Sequence, residues 1–474
     1  MSETTRTPLL ILGAGPGGYA AAFYAADLGF EVTLVAPEAN PGGVCLYVGC
    51  IPSKALLHVA ALLNEAREAQ RWGLTFSEPR LDLDRLRAWK DEVVAGLTEG
   101  LGDLRAKRRV TQLRGRGRVV APGRVRVSLE EGGETELGFE RLLLATGSRP
   151  VVLPFLPVSP RVWDSTGALE LPRVPRRLLV VGGGIIGLEL GSVYASLGSQ
   201  VSVVEMLPGI LPGADRDLVR VLEKRLLPRF AAVRTGTRVT QVTENRNGLK
   251  VTLEDAAGQA SEERFDQLLV SVGRRPNSED LGLEHTGVEL DTGGFVQVDA
   301  RRRTADPAVW AIGDLAGQPM LAHKASAEAR VAVEDMAGQK GAGYDPAAMP
   351  SVVYTDPELA WCGLTETEAK AQGRKVAVAR FPWQASGRAL TMDRTDGLTK
   401  LLIDPETERV LGMGIAGKGA GEMIAEGVLA VEMAALASDV ARSIHPHPTC
   451  AETVMEAAEV FYGHATHFHT PRRR

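Results

Sequence analysis

The feature that most constrains this chain is an internal repeat. The segment LLILGAGPGGYAAAFYAADLGFEVTLVA, which starts at Leu9, matches LLVVGGGIIGLELGSVYASLGSQVSVVE, which starts at Leu178. Each copy is a short apolar run, a G-x-G-x-x-G turn, a helix-length segment and a second Val-rich run. That order predicts a strand–helix–strand unit with a dinucleotide fingerprint in its first turn. We therefore expect an α/β fold that contains two Rossmann-like dinucleotide-binding domains.

The glycines and the strand ends of the two copies indicate how each would bind its ligand. In each turn the glycines bend the chain, let backbone approach a pyrophosphate and allow close helix–strand packing; they are Gly13, Gly15 and Gly18, then Gly182, Gly184 and Gly187. Glu205 ends the second copy, where a carboxylate accepts from a ribose 2′-OH and repels a 2′-phosphate, so we expect NAD rather than NADP. The first copy has Ala36 there, and the nearby Glu38 is either a substitute ribose contact or a solvated loop charge.

Two dinucleotide sites in one chain suggest one resident cofactor and one that exchanges. Hydride transfer between a flavin and a nicotinamide fits this arrangement. Other strand ends supply candidate contacts with the cofactors. Thr146-Gly147 and its counterpart Gly273 lie at sharp turns, and the Asp314 carboxylate can bind the ribitol hydroxyls of a flavin. We predict that a nicotinamide-binding unit, residues 151–278, is inserted into a flavin-binding unit that begins with residues 1–150 and resumes afterwards.

Cysteine usage points to redox chemistry. Four cysteines in 474 residues are too few for a disulfide-scaffolded secreted protein. Cys45 and Cys50 lie in GGVCLYVGCIPSKALLH, where a predicted helix starts. Their Cα atoms would be roughly 8–9 Å apart in an ideal helix, beyond disulfide reach, so a bridge needs the distortion that Gly49 and Pro52 permit. We predict a redox-active disulfide; two free thiols or half of a metal site are the alternatives, and no metal ligands follow at suitable spacing.

A dithiol exchange needs a base, and SIHPHPTCAETV offers one. His447 lies between Pro446 and Pro448, and Glu452 follows five residues later. A histidine–carboxylate pair makes the imidazole more basic and fixes its tautomer. The same residues also fit a helix that starts at Thr449 with a capping box to Glu452, which would leave His447 as an ordinary loop residue. The residues alone leave both interpretations open.

The overall charge and the two chain ends limit which binding partners and which cellular location we expect. A net charge of −5 and a pI near 6.0 give no general attraction to nucleic acid or anionic lipid. The uncharged run from Thr7 to Ala26 is rich in glycine, so we interpret it as a strand, a turn and a helix and not as a signal peptide or membrane span. We expect a cytoplasmic protein that binds neither membranes nor nucleic acid. The His- and Arg-rich tail, which includes His464 and Arg472, is expected to fray, with metal or anion binding as the alternative.

From about Leu9 to about Tyr462 the chain resembles the pyridine nucleotide–disulfide oxidoreductase family. The motifs that carry the resemblance are GGVCLYVGCIPSKALLH, GGGIIGLELG with VVEM, AIGDLAGQPMLAHK, YTDPELAWCGLTE and HPHPT. The resemblance implies a homodimer with FAD tightly bound in each subunit, NAD as second cofactor, a central domain at 279–347 that continues the FAD domain, and a C-terminal α+β interface domain at 348–474. It also implies FAD contacts at Met320, Leu321, Ala322 and His323, and no metal.

The resemblance also assigns chemical roles. It implies that His447 is the acid–base group for the disulfide of the other subunit and that Glu452 orients it. It implies that Cys45 meets the substrate, that Cys50 faces the flavin, and that Lys54 pairs with Glu189 beside the flavin. The chain departs from the family pattern at three positions, Ala36, Tyr47 and Cys450.

Within the family, the motifs are most similar to those of enzymes that oxidise protein-bound dihydrolipoyl groups and reduce NAD⁺. The implied partners are the lipoyl domains and acyltransferase core of a 2-oxo acid dehydrogenase complex, or a glycine cleavage complex. The alternatives are another NAD(P)H-dependent flavin disulfide reductase, a transhydrogenase, or a non-catalytic FAD-binding assembly subunit. A glutathione-type reductase would have basic residues in place of Glu205 and Met206, and a mercuric reductase would have a C-terminal cysteine pair.

Overall fold

The computed structural model describes residues 5–469. The first part of the chain forms a parallel sheet with an antiparallel extension. Its elements are β1 (Thr5–Leu12), α1 (Pro16–Asp27), β2 (Val32–Ala36), α2 (Gly43–Val48), α3 (Cys50–Glu68), α4 (Leu83–Lys107), β3 (Thr111–Ala121), β4 (Arg124–Leu129), β5 (Glu134–Leu144) and β6 (Ser148–Pro150). β1 pairs in parallel with β2 and β5, β3 continues the sheet beyond β2, and β4 joins β3 to β5 in antiparallel pairing. The apolar run Leu9–Leu12 is buried because both faces of a parallel strand are covered.

The repeat builds a second parallel sheet. Its elements are β7 (Val162–Trp163), α5 (Ser165–Leu169), β8 (Arg177–Val181), α6 (Ile185–Ser196), β9 (Gln200–Val204), α7 (Arg216–Leu226), β10 (Ala232–Arg234), β11 (Arg238–Asn245), β12 (Gly248–Glu254), β13 (Ala260–Phe265), β14 (Gln267–Val270) and β15 (Arg274–Pro276). The strand order is β10-β9-β8-β14-β7, and β11, β12 and β13 form a separate antiparallel sheet. β15 pairs with β6, so this unit is tied back to the end of β5.

The chain then returns to the first sheet. The next elements are β16 (Val309–Ala311) and α8 (Ala322–Met336). β16 pairs in parallel with β5, and α8 packs beside α1. Asp314, which follows β16, therefore lies at the same edge as the carboxyl ends of β1 and β5.

The C-terminal part forms an antiparallel sheet covered by helices. Its elements are β17 (Ser351–Val353), β18 (Glu358–Gly363), α9 (Glu366–Ala371), β19 (Ala377–Pro382), α10 (Gly387–Thr391), β20 (Leu398–Ile403), β21 (Val410–Gly417), α11 (Ala420–Glu432), α12 (Ala437–Arg442) and α13 (Glu452–Tyr462). The strand order is β17-β18-β21-β20-β19, and Trp383, Phe381 and Met413 lie in the core beneath α11 and α13. The predicted fold class, two Rossmann-like units and a C-terminal α+β domain, is confirmed.

A buried lysine joins the second sheet to the C-terminal sheet. Lys400 on β20 is 1% exposed, and its Nζ donates to Asp215, Asp217 and Glu366, each at 2.7 Å. Burial raises the pKa of Asp215, but the hydrogen bond from Lys400 and its charge outweigh it and hold that pKa below the usual range. Three carboxylates at such close range could otherwise hold a metal ion; here the ammonium supplies the positive charge.

The segment that carries the cysteines is unusually apolar. Residues 43–72 form the stretch, within the described chain, whose length and composition would allow it to cross a membrane. The helix breaks at Gly49, and Leu56 and Ala60 pack in the same core as Leu188 of α6. The apolar face of α3 is therefore used in packing against the second unit.

Candidate functional site

A single cavity of about 1870 Å³ connects the two glycine-rich turns. Gly15 of the first turn and Gly184 of the second both line it, and it passes Cys45 and Cys50. The repeat units therefore face one shared space instead of two separate clefts. Ligands bound at the two turns would therefore share this cavity.

Each glycine-rich turn has the shape of a pyrophosphate cradle. Gly15 and Gly184 cap the N-termini of α1 and α6, and a Cβ on either would meet nothing within 4 Å. Backbone N–H groups at a helix N-terminus attract phosphate. By contrast, a Cβ at Gly18 would lie 1.8 Å from the carbonyl oxygen of Gly13, and one at Gly187 would lie 2.2 Å from that of Gly182. Both turns therefore require glycine and fit a dinucleotide.

The other residues predicted to contact FAD line the first-turn side of the same cavity. They are Glu38, Lys54, Thr146, Gly147, Asp314, Met320, Leu321, Ala322 and His323. Ser148 Oγ donates to the Asp314 carboxylate at 2.5 Å, and Thr146 Oγ1 donates to the carbonyl of Asn277 at 2.9 Å. Ala36 is buried and apolar, whereas Glu38 reaches the cavity wall. Glu38 as the ribose contact stays a prediction.

On the second-turn side, Glu205 is fixed by backbone hydrogen bonds. Its carboxylate accepts from Gly183 N at 2.7 Å and from Leu207 N at 2.8 Å, and it lines the cavity together with Gly273. These contacts hold a negative charge at the end of β9, beside the turn. A phosphate on a bound ribose would be repelled there, whereas hydroxyl groups could donate to the carboxylate.

The two cysteines lie on either side of a helix break. Cys45 is in α2, Cys50 is the first residue of α3, and Gly49 between them has φ −143° and ψ −116°. A Cβ at Gly49 would lie 2.6 Å from the carbonyl oxygen of Val44, so this break also requires glycine. Both cysteines are free thiols in this structure. Their oxidation to a disulfide stays a prediction.

The surroundings make the two thiols chemically different. A hydrogen bond from Cys45 and the charge of Lys54 lower the pKa of Cys50 to about 7, although burial and Glu189 act in the opposite direction. The hydrogen bond to Cys50, together with burial, raises the pKa of Cys45. These opposite shifts favour Cys50 over Cys45 as the thiolate of the pair.

An ion pair lies next to the cysteines. Lys54 Nζ on α3 is 2.8 Å from Glu189 Oε2 on α6, and Glu189 is buried. The other carboxylate oxygen, Oε1, accepts from Tyr354 N at 2.9 Å. Tyr354 follows β17 and also lines the cavity. Tyr354 belongs to the motif YTDPELAWCGLTE, but nothing in that motif indicated a role for this residue.

His447 and Glu452 form a histidine–carboxylate pair. His447 Nδ1 lies 2.7 Å from Glu452 Oε1, and Oε2 accepts from Thr449 N at 2.8 Å. Burial raises the pKa of Glu452, but the hydrogen bonds from Thr449 and His447 outweigh it, so that pKa lies below its usual range. The helix begins at Glu452 and not at Thr449. Of the two capping-box bonds only the one from Thr449 N to Glu452 forms, because the Thr449 hydroxyl donates to the carbonyl of Pro446. His447 does not line the cavity of its own chain.

The other two cysteines and part of the C-terminal tail pack in or against the core of the C-terminal domain. Burial raises the pKa of Cys362 to about 12 and also raises that of the half-buried Cys450. His467 is hydrogen-bonded to the buried Glu456, and the ring of Phe468 packs edge-on against Phe381. The expectation of a frayed end is therefore wrong for this part of the tail; Arg472–Arg474 lie outside the described residues.

Known proteins match this arrangement along nearly the whole chain. The family described as pyridine nucleotide-disulphide oxidoreductase matches residues 7–329, and the dimerisation domain of that family matches residues 349–458. The chain is 49% identical over 467 residues to a dihydrolipoyl dehydrogenase of Vibrio parahaemolyticus, with 98% of both chains covered. It is 48% identical over 461 residues to one of Thermus scotoductus, covering 97% of this chain and 98% of that one. The structure of LpdA from Mycobacterium tuberculosis aligns with a TM-score of 0.88 at 27% identity, covering 96% and 99% of the two chains.

Proposed function

The chain belongs to the pyridine nucleotide-disulphide oxidoreductase family, and from that premise we propose that it has dihydrolipoyl dehydrogenase activity. It is an oxidoreductase that uses FAD and NAD. In the proposed reaction a dihydrolipoyl dithiol is oxidised and NAD⁺ is reduced to NADH. The observation that carries this proposal is the single cavity that joins both glycine-rich turns and passes Cys45 and Cys50.

The two cofactors would be held at opposite sides of that cavity. The residues that would hold FAD are Gly13, Gly15, Gly18, Glu38, Lys54, Thr146, Gly147, Asp314, Met320, Leu321, Ala322 and His323; those that would hold NAD are Gly182, Gly184, Gly187, Glu205 and Gly273. When bound, the flavin supplies a two-electron acceptor between the thiols and the nicotinamide. The side chains of the protein position these groups and move protons.

Thiol–disulfide exchange would begin at Cys45. His447 accepts a proton from one substrate thiol, and the resulting thiolate attacks Cys45 Sγ in the oxidised pair. The Cys45–Cys50 bond breaks, and Cys50 leaves as a thiolate, which suits its lowered pKa and the nearby charge of Lys54. The second substrate thiol attacks the substrate sulfur bound to Cys45, and its proton passes to Cys45, which leaves as a thiol. The substrate disulfide then forms, Cys45 is released, and two electrons have passed from the substrate to the cysteine pair.

We propose that this exchange takes place between two subunits. The dimerisation domain supports a homodimer. The His447 side chain is 70% exposed, is already oriented by Glu452 and lies outside the cavity of its own chain. A base in that position is placed to serve thiols that another chain presents. We therefore propose that His447 of one subunit acts on Cys45 of the partner subunit.

The physiological partners follow from the substrate chemistry. We propose that the dithiol is the lipoyl group of a lipoyl domain, and that the dimer associates with the acyltransferase core of a 2-oxo acid dehydrogenase complex or with a glycine cleavage complex. We also propose a cytoplasmic location, because the cysteines are used for exchange and not as structural disulfides.

The test is NADH formation from dihydrolipoamide and NAD⁺ by the purified protein with bound FAD. The wild type should form NADH, and Cys50→Ser should abolish turnover while the flavin remains bound. Cys362→Ser is the matched control because that cysteine lies outside the cavity, and its turnover should be close to that of the wild type. Full turnover by Cys50→Ser would contradict the proposal. Flavin binding without NADH formation would favour an assembly subunit, and activity with another disulfide or with NADPH alone would favour a different reductase.

A further inference from the structure

Tyr354 contacts both members of the ion pair that lies beside the cysteines. The centroid of its ring is 4.5 Å from Lys54 Nζ, and its backbone N–H donates to Glu189 Oε1 at 2.9 Å. Lys54 Nζ is in turn 2.8 Å from Glu189 Oε2. One residue from the segment after β17 thus reaches a pair formed by α3 and α6.

Tyr354 restricts a side chain that would otherwise be mobile. Lysine has a flexible four-carbon stem and a strongly hydrated ammonium, and the Lys54 side chain is 33% exposed. An aromatic face attracts such a cation. The ring and the Glu189 carboxylate therefore hold the ammonium from two directions. The backbone N–H of Tyr354 also fixes the buried Glu189 carboxylate, so both charges keep their places.

The position of these charges matters to Cys50. The charge of Lys54 lowers the pKa of the Cys50 thiol, and the charge of Glu189 raises it. The net effect depends on the ammonium staying close to Cys50 while it neutralises Glu189. The other groups that sense the charge of Cys50 are Cys45, Tyr19 and Arg274. Among the described residues no hydrogen bond or salt bridge joins Tyr19 or Arg274 to Lys54 or Glu189, whereas Tyr354 contacts both.

We propose that Tyr354 is a positioning residue whose ring and backbone N–H hold the Lys54–Glu189 pair beside Cys50. Through this contact the segment after β17 governs how readily Cys50 exists as a thiolate. The inference rests on the proposed role of the cysteine pair in thiol exchange. Tyr354 itself exchanges no proton or electron in that reaction.

The test measures the thiol directly in the reduced, FAD-containing protein. Iodoacetamide alkylates thiolates, so the rate at Cys50, followed by mass spectrometry of its peptide across a pH range, reports the pKa. The variants are Tyr354→Leu, which removes the aromatic face, and Tyr354→Phe, which keeps it. Lys54→Met provides the reference for complete loss of the positive charge. Bound flavin and circular dichroism show that each variant is folded.

The expected midpoint for Cys50 is about 7 in the wild type and the same in Tyr354→Phe. In Tyr354→Leu the midpoint should rise by about one unit, which is about tenfold less thiolate at low pH, and Lys54→Met should move it at least as far. An unchanged midpoint in Tyr354→Leu overturns the proposal, as does an equal shift in Tyr354→Phe or no shift in Lys54→Met. Because this readout needs no dihydrolipoyl substrate, a protein without dihydrolipoamide turnover can still show the shift.

Discussion

His447 Nδ1 lies 2.7 Å from Glu452 Oε1, and this oriented histidine is not among the residues that line the cavity with Cys45 and Cys50 of its own chain. The base and the thiols are each well formed, but one subunit does not bring them together. Dimers made of two different mutant chains can therefore show whether the two groups act across subunits.

Mixed dimers should restore activity that each parent lacks. The parents are His447→Gln and Cys50→Ser, purified as a heterodimer with two affinity tags. If each site combines His447 of one subunit with the cysteines of the other, one of the two sites is intact, and about half of the wild-type turnover should return. NADH formation from dihydrolipoamide is the measurement. Mixed dimers that are as inactive as both parents would show that the two groups act within one chain.

Replacing Glu452 should weaken the base without removing it. In Glu452→Gln the imidazole loses the carboxylate that orients it and stabilises its protonated form. We expect kcat to fall about 10- to 100-fold, against about 10²- to 10⁴-fold for His447→Gln. Glu459→Gln on the same helix is the matched control, and an equal loss there would mean that the effect comes from the helix and not from the pair.

Replacing Glu205 should reduce the preference for NAD. Its carboxylate accepts from Gly183 N and Leu207 N, and charged hydrogen bonds contribute about 1.5–3 kcal/mol each. We expect Glu205→Ala to lower kcat/KM for NAD⁺ by about ten- to a hundredfold, which corresponds to the loss of about one charged hydrogen bond from a ribose hydroxyl to the carboxylate. The ratio of kcat/KM for NAD⁺ to that for NADP⁺ should fall as well. An unchanged ratio would mean that another residue selects the cofactor.

Lys400 should be important for stability. Lys400→Met would leave Asp215, Asp217 and Glu366 without their shared cation, and removal of one partner from a buried ion pair costs about 3–5 kcal/mol. Lys418→Met is the control, because its pair with Glu65 is about half exposed on both sides and such pairs contribute about 0–1 kcal/mol. Urea unfolding of both variants gives the comparison. Equal losses would contradict the importance of the Lys400 cluster.

The local glycine patterns were the most predictable part of this protein. A turn that must approach phosphate and pack a helix against its own carbonyl oxygen requires glycine, so Gly15 and Gly18 can be interpreted from spacing alone. The start of α13 was misplaced by three residues, because Thr449 has the right composition for a cap but bonds backward to Pro446. Local sequence does not show which of two nearby acceptors a hydroxyl will choose.

Contacts between distant segments could not be predicted from the residues. The pairing of Lys54 with Glu189 was implied only by the family resemblance, and the approach of Tyr354 to both was missed. These residues come from α3, α6 and the segment after β17, which meet only when the units pack. A tyrosine in a loop has no periodicity or charge that would indicate a lysine beneath its ring. The domain boundaries at 150, 278 and 347 stay predictions.

The central claim is that Cys45 and Cys50 carry electrons from a dihydrolipoyl dithiol to NAD⁺. The most direct measurement is one anaerobic turnover of the oxidised, FAD-containing protein, with thiols counted by alkylation at each stage. Dihydrolipoamide alone should make both cysteines alkylatable, and subsequent NAD⁺ should yield about one NADH per chain while the two thiols disappear. NADH formation while both cysteines stay in the same redox state throughout would contradict the account.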